Sequence, residues 1–244
     1  MQRHHVPSGG TRYWVALSAA SIFGCNTGDA FAGVFGFVSG LPLLAAAFAV
    51  IVYLERRDPN PRQAYYWLAI VVVRTAATNL ADFTAFGIGI AQAIGVLTAL
   101  LLAMLVYARV PWRPPATTAP GRIGLPPTDA KYWCIMLVAG TLGTAIGDFV
   151  SFRSGLGLPI ASVVLSGLVA VALGVGRGGL LAVAVYYWFT VVAIRAAGTA
   201  VGDFSAKLIG LTPSTILSGL LLVALLSLWR DQSAKREPSL ATLP

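Results

Sequence analysis

Histidine and cysteine are scarce in this chain. The two histidines stand side by side at residues 4 and 5, and there are two cysteines in 244 residues. Cys25 follows its nearest preceding tryptophan by eleven residues and Cys134 by one. On parallel helices they would therefore differ in depth by about 15 Å, which excludes a disulfide between them. Without histidine near the acidic residues, a dedicated zinc or copper site is not expected either.

Charged residues are also scarce. They make up 11% of the sequence while 57% is hydrophobic, against about 25% charged in an ordinary soluble domain. A soluble protein of this size cannot bury that much apolar side chain, so the composition predicts a polytopic membrane protein in a lipid bilayer. The net charge of +8 would suit nucleic acid. However, the basic residues are scattered among loops, and we expect them to set the topology rather than bind nucleic acid.

One sequence pattern occurs four times along the chain. Four times, a tryptophan is followed fifteen residues later by an aspartate, and a tyrosine stands immediately before each tryptophan. This fixed spacing predicts tandem repeats, each one supersecondary unit. The apolar runs around each copy predict two spans per repeat, and hence an all-α fold of eight transmembrane helices in four parallel two-helix repeats. The copies are Trp14…Asp29, Trp67…Asp82, Trp133…Asp148 and Trp188…Asp203.

The repeats group into two pseudo-symmetric halves. An arginine follows the tryptophan by seven residues in copies two and four only, as Arg74 and Arg195. We predict a first membrane half over 13–108, with repeats 1 and 2, and a second over 131–230, with repeats 3 and 4. A proline-rich cytoplasmic linker, 109–130, joins them, and cytoplasmic tails are expected over 1–12 and 231–244. The turns inside the repeats are expected near residues 33–42, 85–91, 152–159 and 207–213.

The distribution of basic residues predicts the orientation. Of 17 lysines and arginines, 13 lie in the termini and between repeats, while the turns after the aspartates hold only Arg153 and Lys207. Loops rich in lysine and arginine stay in the cytoplasm. Both termini are therefore predicted to be cytoplasmic, with the aspartates in the outer half of the membrane.

The repeated tryptophan and the Gly/Ala-Asp pair carry a family resemblance. From Tyr13 to about Trp229 the chain resembles a bacterial inner-membrane protein family of unknown function built from four tandem two-span repeats. The resemblance implies this architecture and a bacterial inner-membrane location. It implies no catalytic residues.

The four aspartates are the candidate site. Between Tyr13 and Leu54 the only charged residue is Asp29, and the other copies are nearly as apolar. An ionisable residue inside a membrane costs roughly 2.5–3.5 kcal/mol or more, and by default it faces the bundle interior and marks a functional site. Four acids at one depth predict a shared polar centre.

The two arginines leave two interpretations open. In the first, Arg74 and Arg195 form structural ion pairs with Asp82 and Asp203 or with an aspartate of a neighbouring helix. In the second, they gate the site. Two guanidiniums against four carboxylates still leave a formal charge of −2. Asp29 and Asp148 lie in the copies without arginine, so they are either protonated or balanced by a cation.

Oxygen donors surround these acids in the sequence. A threonine or Cys25 stands four residues before each aspartate, and an asparagine stands three before the first two. Carboxylate, amide and hydroxyl oxygens suit hard cations such as Mg²⁺, Ca²⁺, Mn²⁺ or Na⁺. Asp29 and Asp148 are predicted to be the primary ligands. The full predicted set is Asp29, Asp148, Asp82, Asp203, Asn26, Thr144 and Thr199.

These features predict a membrane transporter or exporter of a small cation, such as manganese, with no cofactor other than a bound divalent cation. The alternative is a structural or sensory membrane protein whose Asp and Arg residues are packing ion pairs. An enzyme is not predicted. Intramembrane aspartyl proteases carry an aspartate within Gly-x-Gly-Asp, whereas no aspartate here has glycine three residues before it. The sequence leaves association into a homo-oligomer open.

Overall fold

The computed structural model describes residues 9–59, 62–108, 126–176 and 184–234, together with Pro7. Most of the predicted linker, most of both tails and the connection 177–183 lie outside the described residues. Within them the all-α prediction is confirmed. The elements are α1 (Thr11–Phe35), α2 (Leu41–Arg57), α3 (Gln63–Ile88), α4 (Ile90–Tyr107), α5 (Ala130–Asp148), a π-helical turn (Phe149–Arg153), α6 (Gly157–Gly176), α7 (Ala184–Ile209) and α8 (Leu211–Ala234).

Helix length and apolarity are those of a multi-pass membrane protein. In the described residues, five helices are long and apolar enough to cross a bilayer: Gln63–Ile88, Ile90–Tyr107, Ala130–Arg153, Gly157–Gly176 and Leu211–Leu228. Helix α2 is shorter, with 17 residues. On α6, Val163 and Val171 leave 72% and 62% of their surfaces exposed. Apolar side chains exposed along whole helices need an apolar surrounding, which a bilayer supplies.

Glycine ends the first helix of every repeat. Gly36, Gly89 and Gly210 each have φ between 77° and 90°, and the third repeat turns through Gly155 and Gly157. A side chain disfavours positive φ, so glycine is the residue that allows these turns. The predicted turn regions contain all five glycines. One boundary differs, because α8 continues past the predicted end at Arg230 to Ala234.

Four inner helices form a closed ring. Helices α1, α3, α5 and α7 pack against one another in that order, and α7 packs against α1. Each outer helix packs on the inner helix of the following repeat: α2 on α3, α4 on α5 and α6 on α7. The last outer helix, α8, packs on α1. The first and last repeats are therefore neighbours, and residues far apart in sequence meet at the α1–α7 contact.

Small residues set how closely the inner helices approach. A Cβ on Gly24 would lie 2.4 Å from the Cβ of Arg74. The α3–α5 contact reverses this arrangement, because Ala77 there faces a glycine, Gly140. The two remaining contacts again place glycine against a larger residue, Gly143 on Arg195 and Gly198 on Ser21, each with a hypothetical Cβ–Cβ distance of 2.5 Å.

Four tyrosines close one end of this ring. The hydroxyl of Tyr13 lies 2.7 Å from that of Tyr187 and 3.1 Å from that of Tyr66, and the hydroxyls of Tyr66 and Tyr132 are 2.6 Å apart. We call these four residues the tyrosine ring. Tyr13 and Trp14 are both buried inside the helix ring. They pack against neighbouring inner helices, as Trp14 does against Tyr187 with ring centroids 5.4 Å apart.

Candidate functional site

The four repeated aspartates line a single cavity. This cavity has a volume of about 560 Å³, and we call it the aspartate cavity. Each aspartate comes from a different inner helix and is half-buried. The four carboxyl groups therefore lie around one space inside the bundle. Their shared depth follows from the fixed distance of each aspartate from the tyrosine ring. The lining aspartates are Asp29, Asp82, Asp148 and Asp203.

One helical turn toward the tyrosine ring, the cavity is lined by the residues four before each aspartate. These are Cys25, Thr78, Thr144 and Thr199. Residues i and i+4 lie on one face of a helix, so each threonine or cysteine points the same way as its aspartate. Thr144 and Thr199 were predicted as ligands from this spacing. Thr78 and Cys25 belong to the same layer and were left out of the predicted ligand set.

Arg195, on α7, lies on the side of the cavity that faces the tyrosine ring, and it hydrogen-bonds to the other three inner helices. Its Nε donates to Thr144 Oγ1 at 2.8 Å, and its Nη1 donates to the carbonyl of Ser21 at 2.7 Å. Its Nη2 donates to Thr78 Oγ1 and, at 3.3 Å, to the carbonyl of Arg74. The side chain is fully buried. Arg195 thus takes two of the four positions in the threonine and cysteine layer, those contributed by α3 and α5.

Arg74 is also fully buried but has few partners. Its Nη2 lies 3.7 Å from Met136 Sδ. Its Nε and Nη1 have no hydrogen-bond partner among the described residues. Gly140 lies beside it: a Cβ there would be in ordinary van der Waals contact with Arg74 Nη1, at 3.6 Å.

The predicted ion pairs are not formed within the described residues, where the contacts of both guanidiniums go to carbonyls, hydroxyls and a thioether. Arg74 and Asp82 share a helix but lie eight residues apart, or about 12 Å along the axis. Side chains on a helix also point toward its N-terminus, which takes the arginine away from the acid. Arg195 and Asp203 are likewise eight residues apart on α7, but the Arg195 guanidinium bonds to Thr144 and Thr78 and to no aspartate among the described residues.

The α1–α7 contact brings three potential metal ligands together. Ligand atoms of Cys25, Asp29 and Asp203 all lie within 4.8 Å of one another. The thiol of Cys25 donates to Asp203 Oδ1 at 3.4 Å and approaches the carbonyl of Thr199 at 3.9 Å. We call these three residues the α1–α7 corner. The sequence prediction instead took Asp29 and Asp148 as the primary ligands, because these two lie in the copies without arginine.

Asn26 lies away from the aspartate cavity. Its Nδ2 donates to Ser214 Oγ at 2.7 Å and lies 3.5 Å from Ser218 Oγ, both on α8. Asn79, at the matching position of repeat 2, donates to the carbonyl of Thr75 at 3.2 Å. Residues i and i+3 differ in direction by about 60° on a helix. Neither asparagine is among the residues that line the cavity, and Asn26 holds α8 against α1.

Aromatic residues and one arginine form the rim of the aspartate cavity. Phe37, Phe86, Phe152 and Arg153 line it from the turns that follow the aspartates. In repeat 3 the helix changes to a π-helical turn directly after Asp148. Single π-helical turns are frequent at functional sites. Here the turn carries Phe152 and Arg153, the two rim residues of this repeat.

Two segments of the chain match a known protein family of unknown function. Residues 131–176 and 186–233 each match the family described as Repeat of Unknown Function (DUF347). No curated protein and no solved structure matches the chain. The first match covers α5 to α6, and the second covers most of α7 and α8. The second half of the chain is therefore similar to two copies of this repeat, and each copy corresponds to one helix pair with its Trp…Asp spacing.

Proposed function

We propose that this protein is a transporter of a small cation, with a divalent metal such as Mn²⁺ as the first candidate. One observation carries the proposal: four carboxylates from four helices line one cavity inside a largely apolar helix bundle. Acidic residues facing a cavity at membrane depth are characteristic of ion pathways. Two buried guanidiniums offset two of the four negative charges, and a divalent cation would balance the remaining two.

The proposal includes an architecture. All eight helices span the membrane, as four parallel repeats related by a pseudo-fourfold arrangement in two halves. The cyclic contacts α1–α3–α5–α7 and the common positions of glycine, threonine and aspartate support it. Parallel repeats with a site at their interface are a known plan for secondary transporters. The expected location is a bacterial inner membrane, with both termini in the cytoplasm.

The conformation described here would be one end-state of a transport cycle. The turns after the aspartates line the cavity, whereas Arg195 and the tyrosine ring fill the bundle on the other side. With the proposed orientation this state faces the outside. Transport would then require that the tyrosine ring separates while the cavity rim closes, as in alternating access.

Uptake into proteoliposomes tests the proposal. Liposomes containing the purified protein are loaded with a metal-sensitive dye and exposed to Mn²⁺, Mg²⁺, Ca²⁺, Zn²⁺ or Na⁺ in turn. Asp29→Asn and Asp148→Asn should fold, since an amide has the shape of a carboxylate and is cheaper to bury, yet lose transport. Asp129→Asn is the matched control, because Asp129 caps α5 outside the cavity and asparagine caps equally well.

Two results would overturn the proposal. One is that the parent protein moves none of these cations. The other is that the two cavity variants move them as fast as the parent and as Asp129→Asn. In either case the carboxylates would have a structural role.

The dependence of binding on pH is a second test. A carboxylate binds a metal only in its ionised form, so protons compete with the cation. Metal affinity should fall as the pH is lowered, and metal binding at constant pH should release protons. Isothermal titration in two buffers of different ionisation enthalpy measures both effects. Binding that is independent of pH and releases no protons would exclude the aspartates as ligands.

A structural or sensory role is the second candidate, and the Arg195 contacts favour it. One guanidinium joins four helices, which is the arrangement expected of a packing element. In that case the aspartates matter for folding, and Asp29→Asn would lower thermal stability while no variant affects cation movement. Measuring the melting temperature of the same variants separates the two candidates.

A further inference from the structure

We infer that Cys25, Asp29 and Asp203 form a mixed thiolate–carboxylate site for a thiophilic divalent cation, such as Zn²⁺ or Co²⁺, at one corner of the aspartate cavity. The inference rests on the proposed function in that it identifies where the transported cation binds, and it replaces Mn²⁺ with a more thiophilic metal as the favoured cation. The absence of histidine argued against zinc in the sequence, whereas the structure adds a cysteine sulfur beside two carboxylates. It differs from a symmetric site at the centre of four aspartates. In a corner site, Asp82 and Asp148 are not direct ligands.

The geometry of the corner fits one metal ion. The Cys25 sulfur lies 3.4 Å from Asp203 Oδ1, and all three ligand atoms lie within 4.8 Å of one another. A tetrahedral Zn²⁺ with a sulfur at about 2.3 Å and an oxygen at about 2.1 Å holds these two atoms roughly 3.6 Å apart. Small side-chain rotations therefore suffice to bring the three atoms around a common ion.

The second observation is the hydroxyl of Thr199. This side chain lines the same cavity and is 1% exposed, and its Oγ1 has no hydrogen-bond partner among the described residues. By contrast, the equivalent hydroxyls of Thr78 and Thr144 donate to carbonyls of their own helices and accept from Arg195. A buried hydroxyl without a partner is rare in folded proteins and needs an explanation. A cation or its bound water beside Cys25 supplies one.

Arg195 explains why the site lies at a corner. Its guanidinium bonds to the threonines of α3 and α5, which places a positive charge on that side of the layer. The remaining positions of the layer, Cys25 and Thr199, belong to α1 and α7. A cation entering the cavity is repelled from the arginine side and attracted to Asp29 and Asp203.

The cysteine determines which cations are favoured. Thiolate prefers Zn²⁺ and other soft or borderline metals, whereas Mg²⁺ and Ca²⁺ prefer a shell of oxygens. The other three repeats carry threonine where repeat 1 carries Cys25. Cys25→Thr thus introduces the residue of the other repeats, with a hydroxyl and a methyl group in place of the sulfur. Binding to the thiol releases its proton, which must leave through the cavity.

Cobalt absorption tests this site directly. Purified protein in detergent is titrated with Co²⁺, which gives a near-ultraviolet charge-transfer band only when sulfur is bound. The parent and Cys134→Ser should show the band, because Cys134 is exposed and lies at the other end of the bundle. Cys25→Thr should lose it. Replacing even a partner of a metal ligand costs roughly 10–100-fold in affinity, so Cys25→Thr should weaken Co²⁺ binding by about 10-fold or more.

The carboxylates provide a second comparison within the same cavity. Asp203→Asn and Asp29→Asn should each weaken Co²⁺ binding by about 10-fold or more, while Asp82→Asn should change it much less. A parent without the band, a band that survives Cys25→Thr, or an equal loss in Asp82→Asn would each overturn the inference.

A measurement on near-parent protein covers the case in which Cys25→Thr does not fold. In Cys134→Ser the only thiol is Cys25, and bound Zn²⁺ should slow its reaction with a small methanethiosulfonate reagent. Equal rates with and without Zn²⁺ would refute the site. Proteoliposome uptake then separates the two hypotheses. A sulfur–cobalt band without cation uptake supports the site against transport, and uptake that is insensitive to Cys25→Thr supports transport against the site.

Discussion

At the scale of single residues, the two buried arginines have different energetic roles although they occupy equivalent positions. Arg195 makes four hydrogen bonds to three other helices, while Arg74 leaves Nε and Nη1 without partners in the described residues. A buried charge is stabilising only where its hydrogen bonds are satisfied. Arg195 therefore contributes to the stability of the ring, and Arg74 is held there at a cost.

Methionine substitutions should separate these roles. Arg195→Met loses hydrogen bonds to a charged group, each worth about 1.5–3 kcal/mol, and should destabilise the protein by about 3 kcal/mol or more. Arg74→Met should change stability by about 1 kcal/mol or less, or raise it, because an uncompensated charge is removed. The measurement is the free energy of unfolding in detergent. An equal loss in both variants would mean that Arg74 has a partner in the folded protein beyond its contact with Met136.

The relation between Arg74 and Asp82 is a separate prediction. A direct ion pair would make the variants Arg74→Ala and Asp82→Asn strongly non-additive. Since the residues lie about 12 Å apart along α3, we expect a coupling energy below about 0.5 kcal/mol in a double-mutant cycle. A coupling above about 1 kcal/mol would restore the ion pair that the sequence suggested.

The sequence predicted the site residues unevenly, for a physical reason. Helical periodicity alone places Thr144 beside Asp148 and Thr199 beside Asp203, and both lie in the cavity as expected. The same periodicity cannot say which helices are neighbours. The meeting of Cys25 with Asp203 depends on the closure of α7 onto α1, and the hydrogen bonds of Asn26 depend on the position of α8.

At the scale of helices, close packing explains where the repeated motif varies. Glycine stands ten residues after the tryptophan wherever the next repeat presents a Cβ, and alanine stands there only where the next repeat presents Gly140. Small residues allow helix backbones to approach in a membrane, where packing drives association. The departure of repeat 2 from the glycine pattern is therefore compensated by its neighbour.

Adding one methyl group tests this packing. A Cβ on Gly143 would lie 2.5 Å from the Cβ of Arg195 and 2.7 Å from the carbonyl oxygen of Val192, so Gly143→Ala must push α5 and α7 apart. Overpacking of this kind costs typically about 1–3 kcal/mol. Gly167→Ala on α6 is the control, because a Cβ there meets nothing within 4 Å. If thermal unfolding shows that Gly143→Ala is as stable as this control, then α5 and α7 do not pack as described.

The helix boundaries were largely predictable because glycine fixes them locally. The turn at Gly89 has φ of 85° and ψ of 148°, a conformation that is essentially restricted to glycine. Pro42 occupies the first turn of α2, where its missing N–H is not needed. The end of α8 was placed too early, because the prediction relied on the change to polar residues after Arg230. Polar residues can continue a helix beyond the apolar segment.

At the scale of the whole molecule, the closed ring of inner helices brings residues that are far apart in the sequence to one cavity. Each repeat contributes one aspartate, one threonine or cysteine and one tyrosine, and the closed order of the inner helices brings each set to a common level. Symmetric parts then acquire unequal roles through two differences. Arg195 occupies one side of the threonine and cysteine layer, and Cys25 replaces threonine on the other. A repeat count from sequence cannot reveal this asymmetry, since it arises from side chains of different repeats meeting one another.

The orientation in the membrane is the last prediction. Thirteen basic residues lie in the termini and between repeats, and the turns that line the cavity carry only Arg153 and Lys207. Since cytoplasmic loops retain lysine and arginine, the cavity should open to the outside. In a background with Cys25→Thr and Cys134→Ser, Arg153→Cys and Lys207→Cys should react with a membrane-impermeant maleimide in intact spheroplasts. Arg57→Cys, an exposed position at the end of α2, should react only after permeabilisation. The opposite labelling pattern would invert the topology, and the tyrosine ring would then close the outer side.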